Sequence, residues 1–245
     1  MIRQAVKNSI KRVSPALLDW IIQRRTRRIL KGFDGLSRQE AFSKIYKQRL
    51  WGEGTGATGG SGFGSHDKAV TQPYIEHVAA FLRTLPQPPR LVDLGCGDFN
   101  VGRQLLPWVA DYHGCDIVPA LIEHHRREHA TDHVSFSFVD LVTDELPAGD
   151  VATLRQVLQH LDNQAIIAIL TKLSRYSHVI ITEHLPTGTF TPNRDKPVGP
   201  GIRLTSGSGV VIGTVPFGLA DFHQRLLCSV KYDGGIIETR LWRQH

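Results

Sequence analysis

The chain has 245 residues, 41% of them hydrophobic, which is enough for one α/β domain with an appendage or for two small domains. It contains no run of about 18 apolar residues and no apolar signal-peptide core, so we expect neither a membrane-spanning helix nor secretion. Its three cysteines lack metal-ligand spacing, and we therefore expect a reduced, cytoplasmic protein.

The net charge of +6 is concentrated at one end of the chain. Residues 1–33 carry nine Lys or Arg and one acid, which leaves the rest of the chain slightly acidic and argues against a nucleic-acid-binding body. Apolar residues from Ile2 to Ile21 recur every three or four positions, which predicts a basic amphipathic helical arm over residues 1–50. Two interpretations stay open: residues 1–33 dock on the anionic inner face of a membrane, or they pack on their own domain or on another subunit.

The segment 51–72 is rich in Gly, Ser and Thr, so it cannot form the interior of a helix or strand. It is either an inert linker or a mobile flap over a ligand, and Trp51 and Phe63 favour the flap because large aromatic side chains are costly to leave in a plain linker. Residues 73–245 form the third predicted part, which begins with an amphipathic helix over 73–85.

From residue 90 onward, strands alternate with helices. The patterns predict strands at 90–94, 112–117, 134–139, 150–156 and 178–183, with helices at 101–110, 119–130 and 163–176. Two further strand-like runs flank Asp233-Gly234-Gly235, which is a hairpin signal. The sequence thus predicts an α/β fold whose doubly wound, mostly parallel seven-stranded sheet ends in an antiparallel hairpin. The Gly- and Pro-rich segment 186–221 interrupts the alternation of strands and helices. We predict that it forms a lid over the bound acceptor substrate.

Three predicted strand ends carry groups that suit a nucleoside. The stretch LVDLGCGDFNVG places Gly95 and Gly97 directly after the first strand, where backbone amides can receive a carboxylate or phosphate. Asp116 ends the second strand and can accept both ribose hydroxyls, and Asp140 follows the third strand, where it can accept from an exocyclic amino group. A dinucleotide fingerprint would need a third glycine where Asn100 stands. Nearby acids also disfavour a pyrophosphate and favour a cationic cofactor such as S-adenosylmethionine.

Four stretches, LVDLGCGDFNVG, YHGCDIVPALIEHHR, FVDLVTDELPAGDVATLRQVLQHL and HVIITEHLP, resemble successive motifs of the class I S-adenosylmethionine-dependent methyltransferases. WGEGTGATGGSGFGS resembles a tract that precedes the first motif in one bacterial, small-molecule or glycan branch. The resemblance implies the Rossmann-like methyltransferase form of the fold and S-adenosylhomocysteine as the product. It assigns a cofactor-binding set: Asp93, Gly95, Cys96 and Gly97 for the methionine part, Asp116 for the ribose, Ile117 beside the adenine, Asp140 and Leu141 for the adenine edge, and Gln156 lining the site.

The acceptor is less constrained than the cofactor. The tetrapeptide of nucleic-acid amino-methyltransferases is absent, because RQVLQHL stands at its place. His160, Glu183 and His184 follow the fourth and fifth strands and are the candidate catalytic bases, with His160 favoured because imidazole titrates near working pH. We expect O-methylation of a small-molecule or glycan hydroxyl. N-methylation of a small amine and a non-catalytic binding module are the alternatives. Glu183 and His184 with a third group can also hold a divalent metal, although no spacing requires one.

Overall fold

A computed structural model of the chain describes residues 31–52, 59–217 and 222–244. Most of the predicted arm, residues 1–30, lies outside the described residues, and so does its proposed membrane or subunit contact. The chain divides after Ser37 into two compact units, of which the larger runs from Arg38 to His245. Helix α1, Arg38–Lys47, therefore belongs to the larger unit, whereas the sequence grouped it with the arm of residues 1–50.

The larger unit alternates strands and helices as the sequence predicts. After α1 come α2 (Lys68–Leu82), β1 (Arg90–Leu94), β2 (Asp111–Asp116), α3 (Pro119–His129), β3 (Val134–Phe138), β4 (Val151–Arg155), α4 (Asn163–Leu170), β5 (His178–Pro186), β6 (Phe222–Tyr232) and β7 (Gly235–Gln244). Short 3-10 helices occupy Phe63–Ser65, Gly102–Trp108, Leu158–His160, Leu173–Arg175 and Arg203–Ser206.

The seven strands form one sheet in the order β3-β2-β1-β4-β5-β7-β6. Strands β1 to β5 are parallel, β7 runs antiparallel to β5, and β6 runs antiparallel to β7. The predicted doubly wound sheet with an antiparallel hairpin is confirmed. The order of the strands along the sheet reverses between β1 and β4, so the carboxyl ends of these two strands flank the crevice in which such sheets bind ligands.

Two apolar clusters cover the two faces of the sheet. One joins the sheet to α4 and to residues 210–217, and the other joins it to α2 and to the segment 99–109. None of the helices in the described part of the chain is long and apolar enough to cross a membrane.

Some element boundaries differ from the predicted ones for local physical reasons. Helix α2 begins at Lys68, five residues early, because the Asp67 carboxylate caps it by accepting from the Ala69 amide at 2.9 Å. The predicted helix 101–110 is a 3-10 helix over Gly102–Trp108, which contains Pro107, a residue that cannot donate a backbone hydrogen bond.

Candidate active site

The turn after β1 has a backbone conformation that glycine alone adopts easily. Gly95 and Gly97 have φ angles of +87° and +55°. A Cβ atom at Gly95 would lie 2.5 Å from Cγ2 of Val157, and one at Gly97 would collide with the Ser61 hydroxyl. The amides of Gly95 and Cys96 donate to the Cys115 carbonyl at 2.8 and 2.9 Å, which fastens the turn to the end of β2.

Asp116 lies at the end of β2, and its carboxylate accepts hydrogen bonds from the glycine turn and from the backbone that follows β2. Its Oδ2 accepts from the Gly97 amide and its Oδ1 from the Val118 amide, both at 3.0 Å. Burial raises the pKa of this carboxyl to about 6, against the lowering effect of these amides and that of Ile117. Asp116 therefore remains an ionised acceptor at neutral pH and lines the cavity beside the turn.

Asp93 and Cys96 line the cavity, but both side chains are buried in the protein core. The Asp93 carboxylate accepts from the Tyr112 hydroxyl at 2.6 Å and from the Thr153 hydroxyl at 2.7 Å. Burial raises the pKa of both Asp93 and the Cys96 thiol. These two residues therefore shape the wall of the site and offer little charge to a ligand.

Asp140 is held by a residue that sequence reasoning missed. Arg38, at the start of α1, donates from Nε and Nη2 to its carboxylate at 3.1 and 2.8 Å. The Val142 amide also donates to Asp140 at 3.0 Å. The carboxylate predicted for the adenine edge is thus neutralised by an arginine, and both residues line the cavity.

The cavity has a volume of about 470 Å³ and lies above the carboxyl ends of β1, β2 and β4. It brings together every predicted cofactor residue and two of the three predicted bases: Asp93, Gly95, Cys96, Gly97, Asp116, Ile117, Asp140, Leu141, Gln156, His160 and His184. Gln156 has a φ angle of +57°, uncommon for a residue with a side chain, and its amide donates to the Thr182 carbonyl at 2.7 Å. Backbone strain of this kind is common at functional sites.

The described part of the Gly- and Ser-rich segment is tied to the glycine turn. The Ser61 amide donates to Asp98 Oδ2 at 2.9 Å, and the Asp98 amide donates to the Ser61 hydroxyl at 2.7 Å. His66 Nε2 forms a hydrogen bond of 2.7 Å with the same carboxylate, and Tyr46 of α1 shares a 2.8 Å hydrogen bond with the Ser61 hydroxyl. The Asp98 carboxylate therefore holds Ser61 and His66 against the glycine turn.

Arg155 fastens the same segment from β4. Its guanidinium donates to the Gly64 carbonyl at 2.8 Å and to the Ser65 hydroxyl at 3.1 Å. It also lies 5.3 Å from the centre of the Tyr74 ring, within the range of a cation–π contact. Asn100 adds a 2.6 Å hydrogen bond from its side-chain amide to the Ser65 carbonyl. Residues 61–66 therefore form a wall of the cavity.

His160 lines the cavity beneath an aromatic residue. The Trp51 ring lies 4.5 Å from the imidazole, and the Trp51 indole donates to the Pro200 carbonyl at 3.1 Å. Burial, helped by the nearby Lys196 ammonium, lowers the pKa of His160 to about 3. The reason for favouring His160, a pKa near working pH, is therefore wrong: the ring is neutral but only weakly basic.

Glu183 and His184 point to opposite faces of β5 because they are adjacent in a strand. His184 lines the cavity, and its Nε2 is 2.9 Å from the Tyr232 carbonyl. Glu183 does not line this cavity, contrary to the prediction; its Oε1 accepts from the Leu158 amide at 3.1 Å on the α4 side of the sheet. The structure therefore does not bring Glu183 and His184 together as metal ligands.

The predicted acceptor lid contributes backbone and small side chains to the cavity. Its lining residues are Pro200, Gly201, Ile202 and Thr205. The polar Asn193 and Arg203 are buried instead. The Asn193 side chain bonds the backbone of residues 211–215, and Arg203 donates to the carbonyls of Leu161 and Arg194. These two residues hold the lid segment in shape.

The sequence profile described as "Methyltransferase domain" matches residues 92–176, which contain the glycine turn, Asp116, Asp140 and Gln156. Residues 92–176, about a third of the chain, are therefore similar to methyltransferase domains. This similarity supports the prediction of a methyltransferase. The match covers the strands around the glycine turn and excludes β5, the lid and the hairpin.

Several solved methyltransferase structures have the same fold as this chain. Magnesium protoporphyrin IX methyltransferase from Synechocystis PCC 6803, with bound S-adenosylmethionine, aligns with a TM-score of 0.56 at 16% identity over 86% of this chain and 99% of its own. The N-methyltransferase NodS from Bradyrhizobium japonicum gives 0.59 at 10% identity over 82% and 99%. The N-terminal domain of EvdMO1, solved with S-adenosylhomocysteine and D-fucose, gives 0.51 at 15% identity over 86% and 98%. No curated protein matches the sequence.

Several cavity residues were not predicted from the sequence. Arg38 and Tyr46 lie in a helix that was assigned to the arm, and no motif marks them. Trp51 was singled out only as a costly residue for a linker, and Arg155 was predicted only as part of the strand 150–156. These residues come together only in the folded chain, because α1, the segment that contains Trp51 and β4 each contribute to the cavity lining.

We expect Asp116→Ala to weaken S-adenosylmethionine binding by about 10- to 100-fold. The substitution removes a charge-assisted acceptor, and such a hydrogen bond contributes about 1.5–3 kcal/mol. Isothermal titration measures the affinity, and thermal unfolding confirms that the variant is folded. Asp111→Ala, at the exposed opposite end of β2, is the matched control and should bind as the native protein does. Equal affinity of the two folded variants would remove Asp116 from the site.

We expect Glu183→Gln to stabilise the protein more at pH 9 than at pH 5. Burial raises the pKa of Glu183 to about 8 from a usual 4.5, although the Leu158 amide and the Arg203 guanidinium lower it. The stability linked to the protonated form is complete below pH 4.5 and is lost as the pH rises through 8. Glutamine stays neutral at every pH and retains an oxygen for the Leu158 amide.

Melting temperatures at pH 5, 7 and 9 test this expectation. A gain of about 1 kcal/mol would raise the melting temperature by roughly 2–4 °C in a domain of this size. Glu123→Gln, on the exposed surface of α3, is the control. Parallel curves for the native protein and Glu183→Gln would show that Glu183 is ionised in the folded state throughout.

Proposed function

We propose that the chain is an enzyme that transfers the methyl group of S-adenosylmethionine to a hydroxyl group of a small-molecule or glycan acceptor. The observation that carries this proposal is one cavity that joins the Asp116 carboxylate and the glycine turn to the imidazole of His184 and an aromatic wall. The first two groups suit the cofactor, and the last two suit a neutral acceptor that must lose a proton.

The residues of the cavity fit the proposed cofactor. Asp116 is an ionised, buried acceptor, as a ribose diol requires, and the Gly95–Gly97 turn, which packs tightly against Val157 and Ser61, lines the same cavity. Ile117 and Leu141 supply apolar surface for the adenine ring. The Arg38–Asp140 pair lies at the same end of the cavity, where Arg38 leaves the carboxylate only part of its acceptor capacity. When bound, the cofactor supplies an electrophilic methyl group on a sulfonium.

His184 is the proposed proton acceptor, in place of His160. A proton on Nε2 of His184 donates to the Tyr232 carbonyl, which leaves the lone pair on Nδ1. The carbonyl fixes the orientation of the ring and favours this tautomer. As the acceptor oxygen gains its methyl group, its hydrogen passes to Nδ1 of His184. His160, with its pKa near 3, positions the acceptor under the Trp51 ring instead.

The charge distribution favours a hydroxyl acceptor over an amine. An amine arrives largely as a cation and needs a carboxylate with free acceptor capacity. Three carboxylates of the described cavity are already engaged, since Asp93 is bonded by two hydroxyls, Asp98 by the Ser61 amide and His66, and Asp140 by Arg38. Asp116 is committed to the turn and, in this proposal, to the ribose. Asp233 lies exposed in the hairpin turn, at the rim of the cavity.

Relatives of the same fold use different acceptors, so the fold alone does not select one. NodS is named as an N-methyltransferase, and EvdMO1 was solved with the sugar D-fucose. The aromatic wall of Phe42, Tyr46 and Trp51 suits the apolar face of a sugar or a planar ring. A polyhydroxylated acceptor with one apolar face is therefore the class that we propose.

The function is tested with methyl-labelled S-adenosylmethionine and matched pools of hydroxyl and amine acceptors, with the products identified by mass spectrometry. We expect label in hydroxyl compounds. His184→Asn should lower turnover by about 10²- to 10⁴-fold, the usual contribution of a general base, while cofactor affinity stays within a factor of two or three. His77→Asn, on the exposed face of α2, is the control and should keep full turnover.

Three results would contradict the proposal. Label that appears only in amines would assign an N-methyltransferase, and undiminished turnover in His184→Asn would remove His184 as the base. A folded protein that binds S-adenosylmethionine but labels no acceptor pool would favour the binding module instead.

A further inference from the structure

Three histidines on α3 form a cluster outside the cofactor cavity. His124, His125 and His129 each present a ring nitrogen, and these three atoms all lie within 4.8 Å of one another. His125 and His129 are four residues apart and so share one face of the helix. We propose that this cluster is a binding site for a divalent transition metal of the zinc type, held by three imidazoles with a fourth position left for water.

His125 is oriented in the way that a metal-ligating histidine usually is. Its side chain is 1% exposed, and its Nε2 donates to the Gly97 carbonyl at 2.7 Å. The proton on Nε2 places the lone pair on Nδ1, and Nδ1 is buried without a hydrogen-bond partner. A backbone carbonyl that receives the second ring N–H is a common outer-shell contact of metal-bound histidines. An orphaned, buried acceptor beside two further imidazoles is the observation that points to a ligand.

Aromatic packing holds the His125 ring in place, so metal binding would require His124 and His129 to move towards it. Phe99 and Phe136 contact the His125 ring, with centroids 5.8 and 5.0 Å away, and Phe99 also lies 5.3 Å from His129. Zinc–nitrogen bonds of about 2.0–2.1 Å place tetrahedral ligands roughly 3.4 Å apart. The solvent-accessible rings of His124 and His129 therefore need to close by at most about 1.4 Å onto the fixed His125.

The local charges permit such closure. Ligation uses the neutral imidazole, so a metal ion competes with any proton on the ligating ring nitrogens. The exposed Arg127 donates to Nδ1 of His124 at 3.4 Å. This weak surface contact is readily exchanged for a metal bond or for a turn of the His124 ring.

The site would also stabilise the glycine turn. A metal on Nδ1 of His125 makes its Nε2–H a stronger donor to the Gly97 carbonyl, whose own amide is bound to Asp116. Because the metal binds the folded protein, it should raise the melting temperature by an amount that grows with the logarithm of its affinity. None of the three histidines lines the cofactor cavity, so metal binding does not depend on the proposed methyl transfer.

The test is titration of the full, metal-free chain with Co²⁺ and Zn²⁺ alone. We expect one equivalent of Co²⁺ to give the visible absorption of a tetrahedral site and Zn²⁺ to displace it, with a Kd in the micromolar range or below. The double variant His124→Gln/His129→Gln removes only the two accessible rings and should lose at least 100-fold in affinity. It should also lose the increase in melting temperature on Zn²⁺ addition, while His77→Gln on α2 keeps both.

Metal binding that is unchanged in the double variant, or absent from the native chain at 100-fold excess Zn²⁺, would overturn the site. An equal loss in His77→Gln would also overturn it, because it would show dispersed surface binding. The double variant should still bind S-adenosylmethionine, so a failure of this site and a failure of the proposed function are read from different measurements.

Discussion

The structure depends on how the backbone of Gly97 is held on both sides of its Cα. Its amide donates to the buried Asp116 carboxylate, and its carbonyl accepts from His125 of α3. The left-handed conformation at Gly97 leaves no room for a Cβ, because Ser61 of the Gly- and Ser-rich segment packs against that position. One residue thus connects the sheet, a helix and the covering segment, and it fixes the backbone on which a cofactor can rest.

The covering segment completes the site through the same turn. Asp98 and Asn100, which follow Gly97 in the chain, bond Ser61, His66 and the Ser65 carbonyl. Asp98 is one of the acids that favoured a cationic ligand in the sequence analysis. In the structure it instead holds the covering segment against the glycine turn. This arrangement places Ser61, Gly62, Gly64 and Ser65 of the segment in the lining of the cavity.

The sheet and the grouping of residues around the glycine turn could be predicted from the sequence because both follow chain-local rules. Alternating apolar runs give the strands, and Asp116 follows the glycine turn at a spacing that the fold fixes. The acceptor half was predicted less well because it depends on side-chain direction and burial. Glu183 and His184 are neighbours in sequence but face opposite sides of β5, and the burial that lowers the pKa of His160 comes from Trp51 and residues distant in the chain. Arg38 reaches Asp140 across 102 positions, which no local pattern indicates.

The central claim is that the cavity above β1 and β2 binds S-adenosylmethionine with its ribose on Asp116. A crystal structure of the full chain with S-adenosylhomocysteine tests this claim most directly. We predict both ribose hydroxyls within about 3 Å of the Asp116 carboxylate, the adenine between Ile117 and Leu141, and the amino-acid end over the Gly95–Gly97 turn. A ligand bound elsewhere, or a ribose that contacts another residue while Asp116 holds only backbone amides, would contradict it.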